Sequence, residues 1–283
     1  MNNITIMTDS NAGLSAAEAA ALNIDVIPMP FCIDGENYEE GVNLTHADFF
    51  KAMDAGRNVT TSQTSPGKVM THWEEALERG DDVLYIPMSS DLSSSCQSAQ
   101  ALSTSYDHVH VVDNHRISVT LRAALMQARE KVDAGMSAEA IKDELESESF
   151  DAAIYAMCDT LEYLKKGGRI TPAVAAAGKL LKIKPVVCIG NGTMSVEGKV
   201  RSHKAGEEKI FSLVERDLKE KYSDTPVMIR GLCSSMNEDE KEAFKVKLQE
   251  RFPDHSVEVD MLPLSICAHV GPGTLGVGIS AMH

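Results

Sequence analysis

Aromatic side chains are scarce in this chain of 283 residues: they make up 5 %, with a single Trp, although hydrophobic residues reach 43 %. Aliphatic side chains and 14 Met must therefore fill the interior. Met is flexible enough to suit an ordinary core or a pocket for an apolar ligand. Long apolar runs are missing too, and none approaches the ~20 residues of a membrane-spanning helix. The opening MNNITIMTDS has neither a basic nor an apolar region of the kind a secretory signal needs. No two cysteines stand at C-x-x-C spacing. Cys32, Cys96, Cys158, Cys188, Cys233 and Cys267 are scattered, which argues for reduced thiols and against a disulfide scaffold or a zinc site. Positive charge is in deficit: the formal charge is −15, which opposes nucleic-acid binding. A cytoplasmic location is expected from these absences.

The charge is unevenly distributed. Between Lys165 and Lys204 nine Lys or Arg face one acid, Glu197, so this stretch carries +8 and the remainder −23. Such a block is either a solvated face or a docking surface for an anionic partner or a phosphate. The length suits two packed cores. Short apolar runs alternate with helical segments, the pattern of an α/β protein. Strands are expected at 4–8, 24–29, 83–88, 108–113, 152–158, 227–232 and 256–261. A hairpin is expected over 185–196, turning at Asn191-Gly192. Ser15-x-x-Glu18 spells a capping box, Thr45-x-x-Asp48 another helix start, and Ser65-Pro66 a third. Further helices are expected at 118–134, from Ser137, at 161–166, from Thr171, at 206–222 and at 238–251. The domain boundary is placed near residue 150, giving domains 1–150 and 151–283.

Two hydroxyl-rich segments carry the chemistry. Thr60-Thr61-Ser62-Gln63-Thr64-Ser65 precedes a helix, and Ser89-Ser90-Asp91-Leu92-Ser93-Ser94-Ser95 joins a strand to a helix. Ligands of open α/β sheets sit beyond the carboxyl ends of the strands, where helix N-termini offer unpaired N–H groups. Neither segment contains Lys or Arg, which a polyphosphate would call for. A single carboxylate can be held by hydroxyls and amides alone. Ordinary helix capping is the competing explanation for each loop. Ala268-His269-Val270-Gly271-Pro272-Gly273 adds a histidine flanked by glycines that permit close approach. His269 is also suited to give a proton or hydrogen bond to the anion or to Ser93.

Other signatures fail. Gly271-Pro-Gly273-Thr-Leu-Gly276 matches a dinucleotide fingerprint in letters, yet only seven residues follow it. Gly192 to Lys199 is one residue too long for a P-loop and is followed by Val200 in place of Ser/Thr. There is no G-x-S-x-G. His108-x-His110 lacks a third ligand, so no metal site is expected.

Thr8-Asp9-Ser10, Thr61-Ser62-Gln63, Leu92-Ser93 with Gln97-Ser98-Ala99, the block from Asp159 to Ile170 (DTLEYLKKGGRI), Lys182-Ile183-Lys184-Pro185, Lys199-Val200-Arg201 and His269-x-Gly-Pro-Gly273 follow in order. Together they resemble the motifs of the DegV family of fatty-acid-binding proteins. The resemblance implies an α/β, two-domain fold: a mostly parallel sheet with flanking helices, plus a second domain with a mixed sheet. It implies one long-chain fatty acid in a buried tunnel between the domains and no other cofactor. Its carboxylate would be bound near Thr61, Ser62, Ser93, Ser94, His269 and Gly271. It further implies a carrier without catalysis of its own, which presents the fatty acid to a separate fatty acid kinase subunit. The acyl phosphate so formed serves phospholipid synthesis. Arg169, Arg201, Lys165 and Lys166 would face that partner, and transient contact with an anionic membrane is compatible with the same charges. The chain departs from the family's usual pattern at Thr64 (usually Pro), at Ser94-Ser95-Cys96 (usually G-T-Y) and at Val270 (usually Thr). Two other readings compete: a hydrolase with Ser93 activated by His269 and oriented by Asp9, and a lipid-responsive regulator.

Overall fold

A computed structural model describes residues 3–170, 183–190 and 193–283. The helix expected from Thr171, Lys179, Lys182 and the Asn191-Gly192 turn lie outside the described residues. Contacts divide the chain into two compact units, Met1–Phe150 and Asp151–His283.

The first unit is built on a parallel sheet of β1 (Ile4–Asp9), β2 (Ile24–Ile27), β6 (Asp82–Ile86) and β7 (Val109–Val111), in the order β2-β1-β6-β7. Its helices are α1 (Ala16–Ala21), α2 (His46–Asp54), α3 (Pro66–Leu77), α4 (Ser95–Ser103), α5 (Ser118–Asp133) and α6 (Ala138–Ser147). Side chains alternate across a strand, so the sheet is covered on both faces. Ile4, Ile6, Leu84 and Ile86 meet Leu121, Leu125 and Ile141 of α5 and α6. Met7, Val83, Tyr85 and Val109 meet Val69 and Trp73 of α3 and Ala99 of α4. This doubly wound arrangement buries the central strand β6 along its whole length. The expected capping box forms: Glu18 N donates to Ser15 Oγ at 3.2 Å, and Ser15 N donates back to Glu18 Oε2 at 2.8 Å. A second, antiparallel sheet of β3 (Pro30–Ile33), β4 (Glu36–Glu39) and β5 (Val59–Thr61), ordered β4-β3-β5, has no counterpart among the strands expected from the sequence.

The second unit contains β8 (Ala152–Met157), α7 (Glu162–Lys166), β9 (Lys184–Gly190), β10 (Thr193–Val200), α8 (His203–Glu220), β11 (Val227–Cys233), α9 (Glu238–Arg251), β12 (Val257–Met261), α10 (Leu264–Val270) and β13 (Leu275–Ala281). Its mixed sheet runs β10-β9-β8-β13-β11-β12, with only the β11–β12 pair parallel. Ile210, Phe211 and Val214 of α8 and Phe244 and Leu248 of α9 pack on Tyr155, Met157, Ile229 and Val277. Gly206 lets α8 approach: a Cβ there would lie 2.2 Å from Met157 Sδ. β13 and α10 also escape the expected list. Among the described residues no helix is long and apolar enough to cross a membrane.

Candidate functional site

The serine-rich loop leaves the carboxyl end of β6 and ends at the first turn of α4. Its entry is tied to β1 by Asp9. That carboxylate accepts from Met88 N at 3.0 Å through Oδ2, and from Asn11 N and Nδ2 at 2.9 and 2.8 Å through Oδ1. Full burial raises the Asp9 pKa, against the lowering effect of these three hydrogen bonds. Asp9 therefore acts as an anchor between two strand ends.

Within the loop, Ser93 Oγ lies 2.8 Å from Ser95 Oγ and accepts from Ser95 N at 3.2 Å. Ser94 occupies the N-cap of α4 without making a side-chain cap hydrogen bond. Its hydroxyl instead donates to Gln63 Oε1 at 3.2 Å, and Ser98 Oγ donates to the same oxygen at 3.3 Å. Gln63 stands two residues beyond Thr61, the last residue of β5. One amide thus joins the Thr61-Ser62 segment to the Ser93-Ser94 segment. The residue at 94 that departs from the usual glycine is spent on this bridge. Gln63 closes the Thr61-Ser62-Gln63 motif, and only the three-dimensional bridge reveals its role. The hydroxyls surround the start of a helix whose N–H groups carry partial positive charge. Beneath them is a cavity of about 10 Å³ lined by Asp9, Met29, Gln63, Thr64, Ser95 and Ser98, among others. That is room for about one water.

In the second unit, the strand pairing brings several sequence motifs to one end of the sheet. Met157 pairs with Val186 and with Leu275, Val200 with Lys184, and Cys233 with Leu275. The segment after β8, the start of β9, the residue after β10 and the loop before β13 therefore share that end. There the block 159–170 and the block 269–273 interlock. A Cβ on Gly167 would fall 2.1 Å from His269 Nδ1, and one on Gly271 would fall 2.3 Å from Tyr163 Cδ2. A Cβ on Gly273 would fall 2.5 Å from Asp159 Oδ2. Gly271 and Gly273 also adopt φ of 76° and 74°, which favours glycine. Desolvation first, and the nearby Arg169 charge second, lower the His269 pKa to about 4. The ring is therefore neutral near pH 7, able to donate one hydrogen bond and accept another. Arg169 Nη1 donates to Gly167 O at 2.6 Å. Arg169, Arg201, Lys165 and Lys166 are all exposed, and Lys184 and His203 both pair with Asp159, the latter at 3.2 Å.

The six cysteines are free thiols. His108 and His110 both turn toward Asp82 Oδ1, at 3.0 and 3.5 Å, as partners of one carboxylate. Among the described residues no group of three or more potential metal ligands converges. Asp9, the acid of the hydrolase reading, accepts from Asn11 through one oxygen and from Met88 through the other.

A family model described as "Uncharacterised protein, DegV family" matches residues 3–282. A DegV domain-containing protein of Listeria innocua is 32 % identical over 279 residues, covering 97 % of each chain. One from Deinococcus radiodurans is 29 % identical over 285 residues, covering 99 % of each. Among solved structures, a fatty-acid-binding DegV family protein from Thermus thermophilus superimposes with a TM-score of 0.88 at 31 % identity, covering 99 % of each chain. DegV from Bacillus subtilis, described as a fatty acid binding protein, gives 0.88 at 26 % identity, with 99 % of this chain and 100 % of that one covered.

Proposed function

On the premise that this chain belongs to the DegV family, we propose that it binds a single long-chain fatty acid and carries it without chemistry of its own. The carboxylate is received by the hydroxyls of Thr61, Ser62, Ser93 and Ser94. The observation that carries this reading is the Gln63 bridge, which gathers two hydroxyl loops at one helix start without any Lys or Arg in either loop. Neutral donors suit one negative charge. The buried tunnel for the acyl chain rests on family membership; its apolar burial would contribute ~0.8 kcal/mol per CH₂. The head group then fixes register more than affinity.

We further propose that the bound acid is presented to a separate fatty acid kinase subunit. The supporting observation is the exposed set Lys165, Lys166, Arg169 and Arg201, within the basic stretch that ends at Lys204. The same charges allow brief contact with anionic lipid. Free thiols throughout suit a cytoplasmic setting.

The head-group assignment is tested by binding palmitic acid to the lipid-stripped protein. Thr61→Ala and Ser93→Ala each remove a hydroxyl worth ~1 kcal/mol, so each should raise Kd about fivefold, and the double variant more. A double variant that holds palmitic acid as tightly as the parent overturns the assignment.

A further inference from the structure

The link between β7 and α5 also holds the serine loop. His115 Nδ1 lies 2.6 Å from Asp91 Oδ2, and Asp91 sits two residues before Ser93. The other ring nitrogen, Nε2, is 3.8 Å from Asp113 Oδ2, and the ring rests on Phe150 with centroids 5.1 Å apart. Asp113 in turn accepts from Ser90 N at 3.3 Å through Oδ1. Ser89 N donates to Arg116 O at 2.9 Å, and Asp91 N donates to Ser89 Oγ at 3.1 Å. Residues 113–116 therefore touch three consecutive loop residues, 89, 90 and 91.

The backbone at this link is unusual. His115 has φ of 53°, and Ser118 has φ of 54°. A non-glycine residue in the left-handed region is strained and persists only where its surroundings impose it. At His115 the imposed conformation aims the imidazole at Asp91. A loop that must present Ser93 and Ser94 hydroxyls gains affinity when it is held in place before the ligand arrives, because its ordering is then not charged against binding.

We propose that His115 is a positioning residue for the carboxylate site: through Asp91 it fixes the serine loop so that Ser93 and Ser94 meet the acid head group. This deepens the head-group assignment above and rests on it. His115 makes no contact with the ligand in this account. Its effect is confined to the loop, so it governs recognition of the carboxylate and leaves the affinity of the acyl chain unchanged.

The test compares hexadecanoic acid with hexadecan-1-ol on the lipid-stripped full chain. His115→Gly removes the ring while leaving a residue at ease with the left-handed backbone. His115→Asn keeps an N–H donor and tolerates the same φ. His115→Gly should weaken the acid about tenfold, on the scale of one charge-assisted hydrogen bond, and the alcohol less than about twofold. His115→Asn should recover most of the acid affinity. Melting of the ligand-free proteins is followed alongside. Equal loss for acid and alcohol, or unchanged acid binding in His115→Gly, overturns the positioning role while the Thr61 and Ser93 assignment stands. Equal acid affinity in the parent and in Ser93→Ala overturns that assignment and this inference with it.

Discussion

Gln63 is the residue whose importance the letters conceal. Its amide oxygen accepts from two serines, one at the N-cap of α4 and one a turn later. Gln63→Ala removes both bonds and releases the two hydroxyl loops from each other. Palmitic acid affinity should fall about fivefold, as read by titration calorimetry, with little change in melting temperature because Ser94 is exposed. His269 offers a separate check through pH. Its folded pKa, about 4, lies below the 6.5 of an unfolded histidine. Between those values the unfolded chain binds the extra proton, so stability must fall as pH drops from about 6.5 to about 4. The full effect is up to ~3 kcal/mol at 1.36 kcal/mol per unit. His269→Gln should flatten that part of the stability–pH profile, measured by urea unfolding at a series of pH values. An unchanged slope would remove His269 as its source.

At the scale of elements, the α7 block interlocks closely with the glycines after α10 in the second unit. Gly271→Ala places a methyl 2.3 Å from the Tyr163 ring at a backbone φ of 76°. The clash and the strain together should cost roughly 2–4 kcal/mol, seen as a lower urea midpoint. Trp73→Ala in the first unit empties a fully buried site beside Tyr85 and Tyr106, at roughly 3–5 kcal/mol. The elements that sequence revealed are those with a strong local signal. The capping box at Ser15, the Pro66 start of α3 and the apolar runs of β1, β6 and β8 all form. The elements it concealed have physical reasons for doing so. β3, β4 and β5 are three or four residues long, and Pro30, Glu36 and Glu39 dilute their pattern. β13 reads LGVGISA, and its glycines mask the strand. Gly276 is there because a Cβ would meet Tyr155 O at 2.6 Å. The hydroxyl loops were legible as candidates, since both precede helices. Their junction through Gln63 was not, because residues 63 and 94 lie 31 positions apart and only the fold joins them.

For the whole molecule, family membership extends from residue 3 to residue 282, so it concerns both compact units. The first unit holds hydroxyl-rich loops ahead of α3 and α4. The second, described by itself, holds a neutral histidine and exposed cations at one end of its sheet. The net charge of −15 belongs mostly to the remainder, which leaves the 165–204 stretch as a basic island. If that island docks a kinase, changing Arg169 and Arg201 together to Glu should abolish acyl-phosphate formation in a reconstituted mixture while leaving fatty-acid binding intact. The central claim, that one fatty acid resides in the folded chain, is tested most directly by native mass spectrometry of protein purified without added lipid. The account predicts one adduct with the mass of a long-chain fatty acid, released on denaturation. A bare chain mass, unaltered when palmitic acid is added in excess, would contradict it.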